Sequence, residues 1–270
     1  MPATRFVPDT PRVRAAHRSV VVLATAILLG VVLALAYLTH EVYEGVTEGD
    51  GVAGLDHPAL QTAVQIRSTP LTWLAVAATE AAGRVGTPLI AICAAVVLYV
   101  RRRSLEPALV LLPALAGPLA ITVVGKNLTG RVRPPREFAL PPFETSPSFP
   151  SGHTLNATVL AAVIAYLVVR GAHRTVTRIL VCGAAVVFTV GVALSRVYLG
   201  QHWLTDVIAG FLIGLAWAVS LMAANELRSR LHRRRANAEP AVAEPSRPDT
   251  GRGCEAQPVT GAEPFAKERS

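Results

Sequence analysis

PALVLLPALAGPLAITVVG, Pro107 to Gly125, carries no ionisable side chain and lies between Glu106 and Lys126. A helix needs about 20 apolar residues to cross the hydrocarbon core of a bilayer, and ~17 suffice. This stretch meets that length, and the chain holds five more like it. Uncharged runs extend over 19–39, 85–100, 154–169, 179–195 and 207–225. Runs 85–100 and 154–169 are short, and they reach across if flanking turns join the helix and the bordering Arg side chains snorkel. The expected fold is therefore all-α, a bundle of six transmembrane helices. A seventh apolar stretch, Ser68 to Thr79 with Trp73 near its start, is too short to span and reads as an interfacial or re-entrant helix.

Composition agrees with that reading. Of 270 residues, 51% are hydrophobic and only 16% charged, with a mean hydropathy of +0.43. A soluble domain of this size needs more charge to cover its surface. Cys93 and Cys182 lie inside apolar runs and Cys254 in a polar tail, with no CxxC spacing among them. Neither disulfide nor zinc is expected, and Cys93 and Cys182 read as small buried hydrophobes.

Arg clusters set the orientation, because positive flanks stay cytoplasmic. Arg5, Arg12, Arg14 and Arg18 precede the first span, and Arg101 to Arg103 follow the second. Arg170, Arg174 and Arg178 separate the fourth and fifth, and further Arg from Arg228 to Arg235 follow the sixth. All of these fall on one side. The expected organisation is a cytoplasmic basic N-terminus over 1–18, a six-span domain over 19–225, and a basic juxtamembrane segment with a disordered cytoplasmic tail over 226–270. The apolar first span also admits cleavage as a signal peptide, which would leave the other loops on the same sides.

The acidic segment after span one then lies outside, and so do loops 126–153 and 196–206. The first of these loops nevertheless carries Lys126, Arg131, Arg133 and Arg136. Cations held against the topology rule need another purpose. Between Lys126 and Asp206 there are eight Lys or Arg and three acids, Glu137, Glu144 and Asp206. That balance suits an anion and not a divalent metal, so no cofactor is expected. Nor is nucleic acid. Lys binds as a point charge and Arg as a planar fork, so Lys126, Arg133 and Arg196 together would suit a phosphate.

Pro150-Ser151-Gly152-His153 directly precedes an apolar helix, where free N–H groups and the dipole favour an oxyanion. Ser151 can add a hydroxyl and Gly152 permits close backbone approach. His202 and Asp206, four apart at the start of span six, share one helical face. A carboxylate accepting one ring N–H fixes the tautomer and leaves the other nitrogen free as a nucleophile. Arg131 and Arg136 either form a second anionic shell or solvate the loop. Gly210 and Gly214 make a small-residue face for helix packing, and Trp203 is an interface anchor or a wall of the site.

The ordered blocks KxxxxxxRP (from Lys126), PSGH (from Pro150) and SRxxxxxHxxxD (from Ser195) resemble the signature of the type-2 phosphatidic acid phosphatase superfamily, which includes the vanadium haloperoxidases. The resemblance covers 126–206 and departs at no signature position. It implies a metal-independent membrane lipid phosphatase, whose site the charge rule places on the extracytoplasmic side. His202 would be the nucleophile, Asp206 its orienting group and His153 the acid for the leaving oxygen. Lys126, Arg133, Ser151, Gly152 and Arg196 would hold the phosphate. An outward-facing site suits recycling of a polyprenyl diphosphate such as undecaprenyl diphosphate, which is the favoured substrate. Phosphatidic acid or phosphatidylglycerol phosphate hydrolysis, or phosphotransfer to another lipid, is the alternative. The expected partners are the substrate lipid and the bilayer; the oligomeric state is left open.

Overall fold

The computed structural model describes residues 11–238, with side chains placed over 22–232. Residues 1–10, Cys254 and most of the tail expected over 226–270 lie outside the described residues. Eight α-helices follow in order: α1 (Pro11–Glu48), α2 (Asp56–Gln65), α3 (Thr69–Ala81), α4 (Gly86–Arg102), α5 (Glu106–Thr129), α6 (Gly152–Gly171), α7 (Thr175–Tyr198) and α8 (Leu204–Ala238). No strand occurs among the described residues. Five helices are long and apolar enough to cross a bilayer, and six spans result when α3 and α4 count as one broken span, bent by 62°. The stretch read as interfacial or re-entrant is the first helix of this bent pair. Gly86 makes the bend possible, since a Cβ there would come 2.3 Å from the Glu80 carbonyl oxygen.

α6 is the axis of the bundle. Just over half of its apolar stretch, 56%, is buried against other helices, compared with 6% for α1. Leu155, Val159, Leu160, Val163 and Leu167 of α6 meet Val110, Leu111 and Ala114 of α5, Ala91 and Leu98 of α4 and Ala218 of α8 in the main core. The other faces expose Leu112, Leu119, Val187 and Leu194, which is the arrangement expected where the solvent is lipid. Cys93 and Cys182 are on such faces and exposed, contrary to the expectation of burial. A thiol is apolar enough for that setting.

Glycines set the closest helix contacts. A Cβ on Gly210 would lie 2.6 Å from the Ser151 carbonyl oxygen, and one on Gly214 would lie 2.9 Å from Thr158 Cβ. The small-residue face of α8 therefore packs on α6, as its spacing predicts. Pro113 leaves α5 helical, and Trp217 of α8 donates Nε1–H to its carbonyl at 3.1 Å. At the far end of α6, Arg170 pairs with Glu106 at 2.6 Å, and Asn225 donates to the same carboxylate at 2.8 Å. Arg170 thus ties α6 to α5 as well as marking the membrane edge.

Candidate active site

Alternating helix directions bring the end of α5, the start of α6, the last turn of α7 and the start of α8 to one end of the bundle. Gly130, in the left-handed region at φ 57°, terminates α5 and turns the chain into the 131–151 loop. The loop folds back on itself and on α8: Ser148 N–H donates to the Arg131 carbonyl at 2.8 Å, and Ser151 N–H to the Asp206 carbonyl at 3.0 Å. Gly200, at φ 66°, makes the turn from α7 to α8, where a Cβ would lie 2.2 Å from the Phe138 carbonyl oxygen.

In this frame His202 Nδ1 lies 3.3 Å from Asp206 Oδ2, both side chains fully buried. Asp206 is itself held on every side. It accepts from Arg131 at 2.6 Å, from Trp203 N–H at 2.9 Å and from the Ser148 hydroxyl. The reach back to Trp203 is half of a capping box for α8, so one carboxylate caps the helix and orients the imidazole. Arg131 bridges onward to Asp56 of α2 at 2.7 Å, and Asp56 accepts Thr205 N–H at 2.9 Å. Arg131 is therefore a strut behind the dyad. Arg136 lies exposed over the Phe143 ring at 4.9 Å.

The second ring nitrogen, Nε2 of His202, faces Arg133 at 3.3 Å. Burial, with the nearby Arg196 and Arg133 charges, pushes the His202 pKa well below its ordinary value, so the ring is neutral near pH 7. A neutral imidazole with one nitrogen held by a carboxylate is what nucleophilic attack requires. Arg133 is fixed by donation to the Ser146 carbonyl at 2.7 Å and to Glu144 at 2.9 Å. Lys126 Nζ donates to the Ser146 hydroxyl at 2.6 Å. Arg196, wholly buried, donates to Thr79 Oγ1 of α3 at 2.7 Å and to Glu144, while its Nε has no hydrogen-bond partner among the described residues. His153 Nδ1 lies 3.4 Å from Glu144 Oε1. Burial raises the Glu144 carboxyl, but Arg196, His153, His202 and Arg133 outweigh it and hold it down at about 2.

Lys126, Arg133, His153, Arg196, His202 and Asp206 are thus gathered at one end of the bundle, linked through Ser146, Glu144 and the His202–Arg133 contact. Two of the expected phosphate contacts also have structural contacts here. The Ser151 hydroxyl pairs with that of Thr154 at 3.0 Å, and a Cβ on Gly152 would meet Thr122 Cγ2 of α5 at 2.9 Å. Gly152 is thus needed for α5–α6 packing. Trp203 walls the site, donating to the Val132 carbonyl at 2.9 Å with Arg131 over its ring at 5.8 Å. Sequence reading missed Asp56, Thr79 and the role of Glu144. Asp56 and Thr79 lie far up the chain in α2 and α3 with no motif around them. Glu144 was visible as one of only three acids among eight bases.

Residues 107–230 match the model of the PAP2 superfamily. Phosphatidylglycerophosphatase B of Bacillus subtilis (strain 168) is 38% identical over 133 residues, 47% of this chain. The match spans 62% of that relative, under two thirds of its length. A crystal structure described as the first transmembrane PAP2 type phosphatidylglycerolphosphate phosphatase from Bacillus subtilis superposes with a TM-score of 0.65 at 29% identity, covering 73% of this chain and 96% of that one. The matched segment, just under half of this chain, contains all three motif blocks and every side chain of the cradle except Thr79, and through that core the chain resembles the PAP2 superfamily.

Proposed function

We propose that the chain is a membrane lipid phosphatase working through a phosphohistidine at an extracytoplasmic site. The observation that carries this reading is the buried His202–Asp206 pair set against the Arg133 and Arg196 guanidiniums. Nε2 of His202 attacks phosphorus as the bond to the leaving oxygen breaks, and His153 gives that oxygen a proton. Water then attacks the phosphohistidine, surrendering a proton to His153, and inorganic phosphate leaves. The cations around the equatorial oxygens supply the electrostatic stabilisation that is commonly the largest catalytic contribution.

The substrate is a phosphomonoester on a glycerolipid, and phosphatidylglycerophosphate is preferred. Both relatives carry that activity in their names, which supports this substrate over the polyprenyl diphosphate favoured on sidedness alone. The test is phosphate release by the purified chain in micelles containing EDTA. Phosphatidylglycerophosphate, phosphatidic acid and undecaprenyl diphosphate are compared, with and without an acceptor lipid. Full activity under chelation, highest kcat/KM on phosphatidylglycerophosphate and no acceptor-dependent product are expected. Activity that EDTA abolishes and a divalent ion restores would overturn the histidine mechanism.

A further inference from the structure

The cradle already holds an anion of its own. Glu144 Oε2 accepts from Arg133 at 2.9 Å, and Oε1 accepts from Arg196 and lies 3.4 Å from His153. These are the groups that would grip and protonate a phosphoryl ester. Lys126 is held by Ser146 of the same loop at 2.6 Å. His202 has 0% side-chain exposure, so with this loop in place no phosphorus atom can reach Nε2. Glu144 keeps 23% exposure and its neighbour Phe143 50%, so the loop's outer face is free. Admission of substrate therefore requires Glu144 to give up both guanidiniums.

We propose that Glu144 is a resident anion of the phosphate seat, which every substrate must displace, and that this competition decides which lipid headgroups are admitted. The proposal rests on the phosphatase reading above. A carboxylate brings one negative charge, whereas a phosphomonoester brings about 1.5 to 2 and three acceptor oxygens. Exchange for a monoester gains attraction to Lys126, Arg133 and Arg196 together. A phosphodiester headgroup carries one charge, so its exchange gains nothing of this kind and gives up an intramolecular contact. Apparent affinity equals intrinsic affinity times the fraction of open seats, and a seat open ~1–10% of the time weakens every anion about 10- to 100-fold. The monoester clears that threshold. The diesters of the surrounding bilayer, present in large excess, do not.

The experiment compares the full chain with Glu144→Gln and Glu144→Asp in micelles, measuring inhibition of lipid phosphate hydrolysis by inorganic phosphate and by added phosphatidylglycerol, a singly charged diester. In Glu144→Gln the Ki for phosphate should fall about 10- to 100-fold, and phosphatidylglycerol, without effect on the parent chain, should become a competitive inhibitor. Glu144→Asp keeps the charge on a shorter stem and should fall between, which guards against a Gln variant that folds poorly. A lowered kcat with both Ki values unchanged would make Glu144 a fixed positioning partner of His153 and overturn the proposal. A raised Ki would overturn it too, by making the carboxylate a support of the cradle. Equilibrium dialysis with labelled inorganic phosphate separates the two readings. If the parent chain hydrolyses no lipid phosphate yet Glu144→Gln binds phosphate more tightly, the phosphatase reading fails and the resident anion stands; if binding does not tighten, both fail.

Discussion

His202 and His153 each face a carboxylate, but the two partners differ in kind. Asp206 is buried and locked by Arg131, Ser148 and Trp203, whereas Glu144 sits on a loop and shares itself between Arg133 and Arg196. A locked partner suits a nucleophile and a shared one suits an acid that must face changing charge. His202→Ala should therefore abolish turnover and the acid-quenched, base-stable phosphoenzyme. His153→Ala should slow a poor alkoxide leaving group by ~10²–10⁴ and a nitrophenyl phosphate less. Phosphoenzyme that persists in His202→Ala and vanishes in His153→Ala would reverse the roles. Glu144 also gives an acid signature. Its pKa is about 2 in the folded chain against an ordinary 4.5, so below pH 4.5 the unfolded chain binds more protons and stability rises with pH. The contribution, on the order of 3 kcal/mol, is whole above pH 4.5 and is lost as pH falls through about 2. The Tm of the purified protein should drop across that window, more steeply than in Glu144→Gln; equal slopes would show that the carboxylate is not held by its cations.

Helix ends and helix contacts carry the site. α8 approaches α6 closely enough that a single methyl on Gly210 meets the Ser151 carbonyl, one residue from the PSGH helix start. Gly210→Ala should cost ~1–3 kcal/mol by overpacking and shift the start of α6 relative to His202, lowering kcat. Gly191→Ala, where a Cβ meets nothing within 4 Å, should leave Tm and turnover unchanged. Thermal unfolding and initial rates in micelles check both, and equal effects at the two positions would contradict the α6–α8 contact. The spacing of Gly210 and Gly214 made this face readable in sequence. The α3–α4 break was not readable, because Glu80 and Arg84 interrupt the apolar sequence without saying that Gly86 lets the helices bend and carry Thr79 to Arg196.

At the scale of the molecule, the proposed function divides the cations into those that mark topology and those that serve chemistry. Arg101 to Arg103 and Arg170 to Arg178 obey the charge rule if cytoplasmic, which puts Lys126, Arg133 and Arg196 outside. A Cys at Phe143, which is 50% exposed on the loop beside Glu144, tests this in a background lacking Cys93, Cys182 and Cys254. It should react with an impermeant thiol reagent in intact cells. Reaction only after permeabilisation would place the site inside and remove the sidedness argument.

Sequence alone determined the helical membrane class, the six apolar runs and the gathering of Lys126, Arg133, His153, Arg196, His202 and Asp206, because hydrophobic length and motif spacing are local properties. The His202–Asp206 pair was legible for the same reason, being one helical turn apart. Only the tertiary structure decided what stands behind and in front of that pair. Asp56 reaches Arg131 from 75 residues away, and Thr79 reaches Arg196 from 117. Only the fold shows that Ser151 also pairs with Thr154 and that Gly152 is where α6 comes closest to Thr122 of α5. Glu144 became the occupant of the cradle because a buried guanidinium such as Arg196 must be paired, and the folded loop puts this carboxylate within its reach.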